Sequence, residues 1–127
     1  MIFAQAKRAV ARLNEEEQAD VYFVAVTLDP ENDSVEGLAK LAQGQGLAAP
    51  AFNLVTGDSL EVNKTLNRMG IERYRDELGV IQHTNMFMVI DRAGTVAYRF
   101  SLGDLQEDWL VEALKLVCAE PEPSHDP

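Results

Sequence analysis

Cysteine and histidine are scarce in this chain: Cys118, His83 and His125 are all it has of either. A single cysteine cannot form an internal disulfide and excludes a cysteine-rich zinc site within the chain. No stretch reaches the roughly 18 consecutive apolar residues of a membrane-spanning helix, and no signal peptide opens the sequence, so the chain as given reads as soluble. No glycine-rich phosphate loop is present. Cations are few: 11 Lys and Arg stand against 21 Asp and Glu, a formal net charge of -10. That balance disfavours nucleic acid or an anionic membrane as partner. It fits a solvated acidic surface, or a docking surface for a basic partner. What is present is a 46% apolar composition over 127 residues, enough for one domain with a real core.

The apolar pattern gives the order α β α β α, loop, β β α. Phe3, Ala6, Val10 and Leu13 recur at helical spacing over residues 1–14, with no N-cap ahead of them. Residues 21–28 (VYFVAVTL) form an unbroken apolar run, expected as a buried inner strand. Asp33 with Glu36, Asp58 with Glu61 and Asp104 with Glu107 each match a helix-start pattern. Gly44, Gly46 and Gly70 are helix stops. Residues 86–90 (MFMVI) show no alternation and predict a second inner strand. Asp91-Arg92-Ala93-Gly94 predicts a tight turn, and residues 95–101 alternate as a half-exposed strand that closes a hairpin. Leu105, Trp109, Leu110, Ala113, Leu114 and Val117 are expected on the inner face of the last helix. Residues 121–127 read as a disordered tail, leaving one domain over 1–120. Strands separated by helices predict an α/β fold, a mixed sheet with flanking helices.

Two residues are candidates for chemistry. His83 sits in a polar segment (GVIQHTN) leading into the 86–90 strand; such a histidine serves more often as a hydrogen-bonding residue than as a ligand. Nothing near it in sequence completes a metal-ligand set. Asp29 follows an inner strand, at the carboxyl edge where α/β sheets place their sites, although a turn residue before Pro30 accounts for it better on local evidence. Met86 and Met88 read as core, and Cys118 as a small buried hydrophobe.

The runs VYFVAVTLDPENDS, NLVTGD, VNKTLNRMGI and GVIQHTNMFMVIDRAGTVAYRFSLGD, with the helix WLVEALKL, resemble the SCO/SenC family of thioredoxin-like proteins over residues 1–120. The resemblance implies a thioredoxin-like fold and a copper metallochaperone, before an enzyme, that serves assembly of the CuA centre of cytochrome c oxidase. It implies copper as the metal, and cytochrome c oxidase subunit II or other copper-assembly proteins as partners. Such proteins are membrane-anchored and face the periplasm or intermembrane space. The family's ligands are two cysteines of a CxxxC motif and one histidine, which His83 matches; Asp29 matches an acid close to that site. The CxxxC motif is absent here, so the chain is expected to be N-terminally incomplete and impaired. By the same resemblance, the strand before CxxxC would lie between the 21–28 and 86–90 strands. Two alternatives stay open: a thiol–disulfide oxidoreductase of the same fold, and a metal-free partner-binding module.

Overall fold

The computed structural model describes residues 2–83, 86–101 and 103–123. The elements run α1 (Ile2–Ala11), α2 (Glu15–Asp20), β1 (Phe23–Val26), α3 (Val35–Gly44), β2 (Phe52–Val55), α4 (Ser59–Arg68), β3 (Arg73–Arg75), β4 (Ile81–His83), β5 (Phe87–Ile90), β6 (Val96–Phe100) and α5 (Asp104–Cys118). The mixed α/β character expected from the sequence is present. The strands pair two by two: β1 with β2 parallel, β3 with β4 and β5 with β6 antiparallel. The chain divides into two compact units, Tyr22–Thr84 and Met1–Val21 with Asn85–Pro127.

In the first unit, β1 and β2 lie in register from Phe23 opposite Phe52 to Val26 opposite Val55. The Phe23 and Phe52 rings meet at 5.6 Å. Asn53 donates from Nδ2 to the Pro50 carbonyl at 2.9 Å, fixing the entry to β2. Asp58 caps α4 as expected, accepting from the Glu61 amide at 3.3 Å. Val62 and Leu66 turn inward from α4 and are buried. Gly70 follows with φ 72, the left-handed geometry that glycine enters at least cost. The cap of α3 differs from expectation. Ser34, not Asp33, accepts from the Gly37 amide at 3.0 Å, while the Asp33 carboxylate is turned to the Thr27 hydroxyl.

Residues 21–28 do not form a strand buried on both faces. β1 spans four of them, and Val24 is 56% exposed. Phe23 and Thr27 donate to the carbonyls of Ala51 and Val55. The other edge of β1 has no hydrogen-bonded strand among the described residues, and the same holds for the edge of β5 opposite β6.

In the second unit, α1 and α5 pack together, burying Ala6, Ala9, Leu110, Val111, Ala113 and Val117. Ion pairs frame this contact: Arg8 reaches Glu107 at 2.7 Å and Arg12 reaches Asp108 at 2.7 Å. The helix α2, which apolar periodicity misses, starts with a reciprocal cap between Asn14 and Glu17 and buries no residue. Such a helix leaves no hydrophobic stripe to read. Leu105 and Trp109, expected on the inner face of α5, are exposed at 68% and 52%. α5 does begin at Asp104, but its N-cap is Gly103, with no side-chain cap bond. The β5–β6 hairpin forms as expected, with a register shift at Val89 and Ile90. Arg92, in its turn, donates to the carbonyls of Cys118 at 3.1 Å and Glu120 at 3.3 Å and pairs with Asp20 at 3.1 Å. A cation at the end of α5 satisfies carbonyls that no helical amide reaches. Residues 121–123 carry no regular structure; the rest of the expected tail, with His125, lies outside the described residues.

Candidate metal site

His83 is the last residue of β4, a short strand where the polar sequence predicts a loop. Three short-range features put it there. Gly79 turns the chain with φ 82. Asp76 Oδ1 accepts from the amides of Leu78 and Val80, each at 2.9 Å, and Oδ2 accepts from Gln82 Nε2 at 2.9 Å. Asp76 N–H in turn donates to the Val80 carbonyl at 2.8 Å. The Gln82 bond, followed by the two amides, holds the Asp76 carboxyl below its ordinary pKa, because every one of these donors favours the charged form. One carboxylate thereby sets the turn, the turn sets the register, and the register places the imidazole.

That register pairs Arg73 with His83 and Arg75 with Ile81. Alternation along each strand puts Arg73, Arg75, Ile81 and His83 on one face of the hairpin and Tyr74 and Gln82 on the other. Arg75 on this face donates to Asp29 Oδ1 at 3.1 Å. Asn32 Nδ2 reaches both oxygens of the same carboxylate, at 3.1 and 2.9 Å. Asp29 N–H donates to Thr27 Oγ1 at 3.0 Å. Asp29 is therefore a tie between the end of β1 and the β3–β4 hairpin. It approaches the hairpin on the face that carries His83, two residues (about 7 Å of strand) from His83's register position.

Beside this tie lies a cleft of about 410 Å³, lined by Asp29, Glu31, Ser59, Asn63, Arg73 and Arg75 among others. Arg73 is fixed by Asn63 Oδ1 at 2.8 Å and Asn67 Oδ1 at 3.0 Å. Sequence reading missed Arg73, Arg75 and Asp76. The signal for the last was present: Asp76 and Gly79 repeat the spacing of Asp91 and Gly94. Both aspartates accept from the amides two and four residues on.

Among the described residues, no three His, Cys, Asp or Glu side chains come together as a metal cradle. His83 offers one imidazole, and the Asp29 carboxylate is engaged by Arg75 and Asn32. Thr84 and Asn85, which complete the segment singled out in the sequence, lie outside the described residues. A complete copper(I) site of thiolates and imidazole does not fit the residues present.

The architecture is that of thioredoxin-like α/β proteins, with a histidine at a strand end and an acid tied to its hairpin. The SCO1/SenC family pattern matches residues 1–118, and the chain belongs to that family. It is similar to a SCO1/SenC family lipoprotein from Bacillus anthracis str. Ames, with 26% identity, 89% of this chain and 70% of that one covered, and a TM-score of 0.73. It is also similar in fold to ScoI of Bradyrhizobium japonicum, a structure with copper bound, with 20% identity, 89% and 69% coverage and a TM-score of 0.66. No curated protein matches.

Proposed function

We propose that the chain is a copper-handling domain of the SCO1/SenC type, in which His83 supplies the one imidazole donor and copper is the cargo. The observation that carries this reading is the family match over residues 1–118 together with the fixed place of His83 at the end of β4. The copper-bound relative is consistent with it. Asp29 acts by holding Arg75 and the hairpin rather than by touching the metal. The service is delivery of copper in assembly of the CuA centre of cytochrome c oxidase, with the oxidase subunit or another copper-assembly protein as recipient, from an anchored position at a membrane. The 127-residue form is impaired, because a single imidazole is a weak hold on copper(I), which favours thiolates. A thiol–disulfide oxidoreductase of the same fold would need the same cysteine pair that copper(I) favours, and the copper-bound neighbour favours the copper reading of the two.

Competition titration of the purified chain with copper(I) against a chromophoric chelator tests this. The expected result is no stoichiometric capture by the 127-residue protein, and a small further loss in His83→Ala. Tight one-to-one capture by this chain that survives His83→Ala would overturn the assignment of the imidazole and turn attention to Met86 and Met88.

A further inference from the structure

The helix α5 is apolar on two sides. Leu110, Val111, Ala113 and Val117 face inward and are buried. Leu105, Trp109 and Leu116 stand 68%, 52% and 58% exposed. At 100° per residue the second set falls within a sector of about 40°, and from Leu105 to Leu116 it runs about 16 Å along the helix. Isolated exposed leucines are ordinary, but a straight stripe containing a tryptophan is not. Trp and large aliphatic groups at this spacing are what a helix presents to an apolar groove or to a second amphipathic helix.

The charges around the stripe select the occupant. Glu112 borders it near the midpoint of its length, about 20° outside the sector, Asp108 flanks it, and Glu120 follows it. Arg12 already neutralises Asp108 at 2.7 Å, and Lys115 is drawn to Glu17 at 3.5 Å. Glu112 and Glu120 have no cation within ion-pair distance among the described residues. A second copy meeting this stripe about a two-fold axis would set Glu112 against its own image, since Glu112 lies near the stripe's midpoint. An anionic membrane meets the same repulsion. We infer that the exposed stripe of α5 is a docking surface for a basic amphipathic segment of a partner protein, its apolar side on Leu105, Trp109 and Leu116 and its Lys or Arg on Glu112 and Glu120. This goes beyond copper handling and does not depend on it.

Trp109 is the only tryptophan, so its emission reports the stripe directly. The full chain would be titrated with a synthetic 14-residue Leu/Lys amphipathic peptide, with its Leu/Glu counterpart, and with phosphatidylcholine vesicles. Expected is a saturable blue shift with the Leu/Lys peptide alone. The double variant Leu105→Ser with Leu116→Ser should weaken it about tenfold or more, with an unchanged circular dichroism spectrum because both positions are exposed. Glu112→Gln should weaken it severalfold and flatten its dependence on salt. Four results would overturn the inference: no shift; a shift indifferent to the serine variants, which is charge attraction alone; an equal shift with vesicles; or a free protein already blue-shifted and dimeric by light scattering.

Discussion

Single side chains in this protein act through the electrostatics of their neighbours. Burial pushes the Cys118 thiol above its ordinary pKa, Glu17 and Asp20 add to the effect, and Arg92 opposes it. The shift leaves less of the reactive thiolate at neutral pH than an ordinary cysteine carries. Alkylation of Cys118 by iodoacetamide at pH 7.5 should be markedly slower in the folded chain than in urea; equal rates would show that the thiol is not held down. Leu66 is 3% exposed, and Leu66→Ala should cost about 2–5 kcal/mol, read by chemical denaturation. His83 was legible as a candidate because it is one of only two histidines and precedes an apolar run. Its partners were not, since Arg73 and Arg75 become its neighbours through strand register, which sequence spacing does not display. Asp29 carried a visible acid-before-proline signal, and its bonds to Asn32 are local, but its tie to Arg75 depends on a fold that closes across 46 residues.

At the scale of elements, periodicity located what it can locate. α4 and the β5–β6 hairpin match expectation because a regular apolar stripe and an Asp-x-x-Gly turn are local signals. α2 escaped because it buries nothing, and the β3–β4 hairpin because its strands are three residues long and polar. The Asp76 turn makes a prediction with a definite sign. Its folded pKa lies below the ordinary value, so its contribution is full above about pH 4 and fades as pH falls through the lowered value. Melting temperatures of wild type and Asp76→Ala should differ at pH 6 and converge toward pH 2; a constant gap would mean that the carboxylate's charge is irrelevant. β1 offers another test. Phe23 and Thr27 point their amides at β2; strand alternation places those of Val24 and Val26 on the opposite edge. Hydrogen exchange at Val24 and Val26 should exceed that at Ala25 by about tenfold or more. Equal protection would reveal a further strand on that edge.

For the molecule as a whole, the family supplies a function and the residues supply only part of its chemistry. The mixed α/β class was readable because helices separate the strands at each crossover. The pairing of strands two by two was not, because edge partners are set by tertiary contacts rather than by apolar pattern. The central proposal is that His83 supplies an imidazole donor for copper(I), which the single cysteine of this chain does not complete with a thiolate pair. The direct measurement is copper(I) affinity, by chelator competition, of a variant with a Cys-x-x-x-Cys segment fused ahead of Met1, with and without His83→Ala. One-to-one binding about tenfold or more tighter with His83 than with His83→Ala, the imidazole joining two thiolates, is what the account predicts. Equal affinity for the two proteins would contradict it.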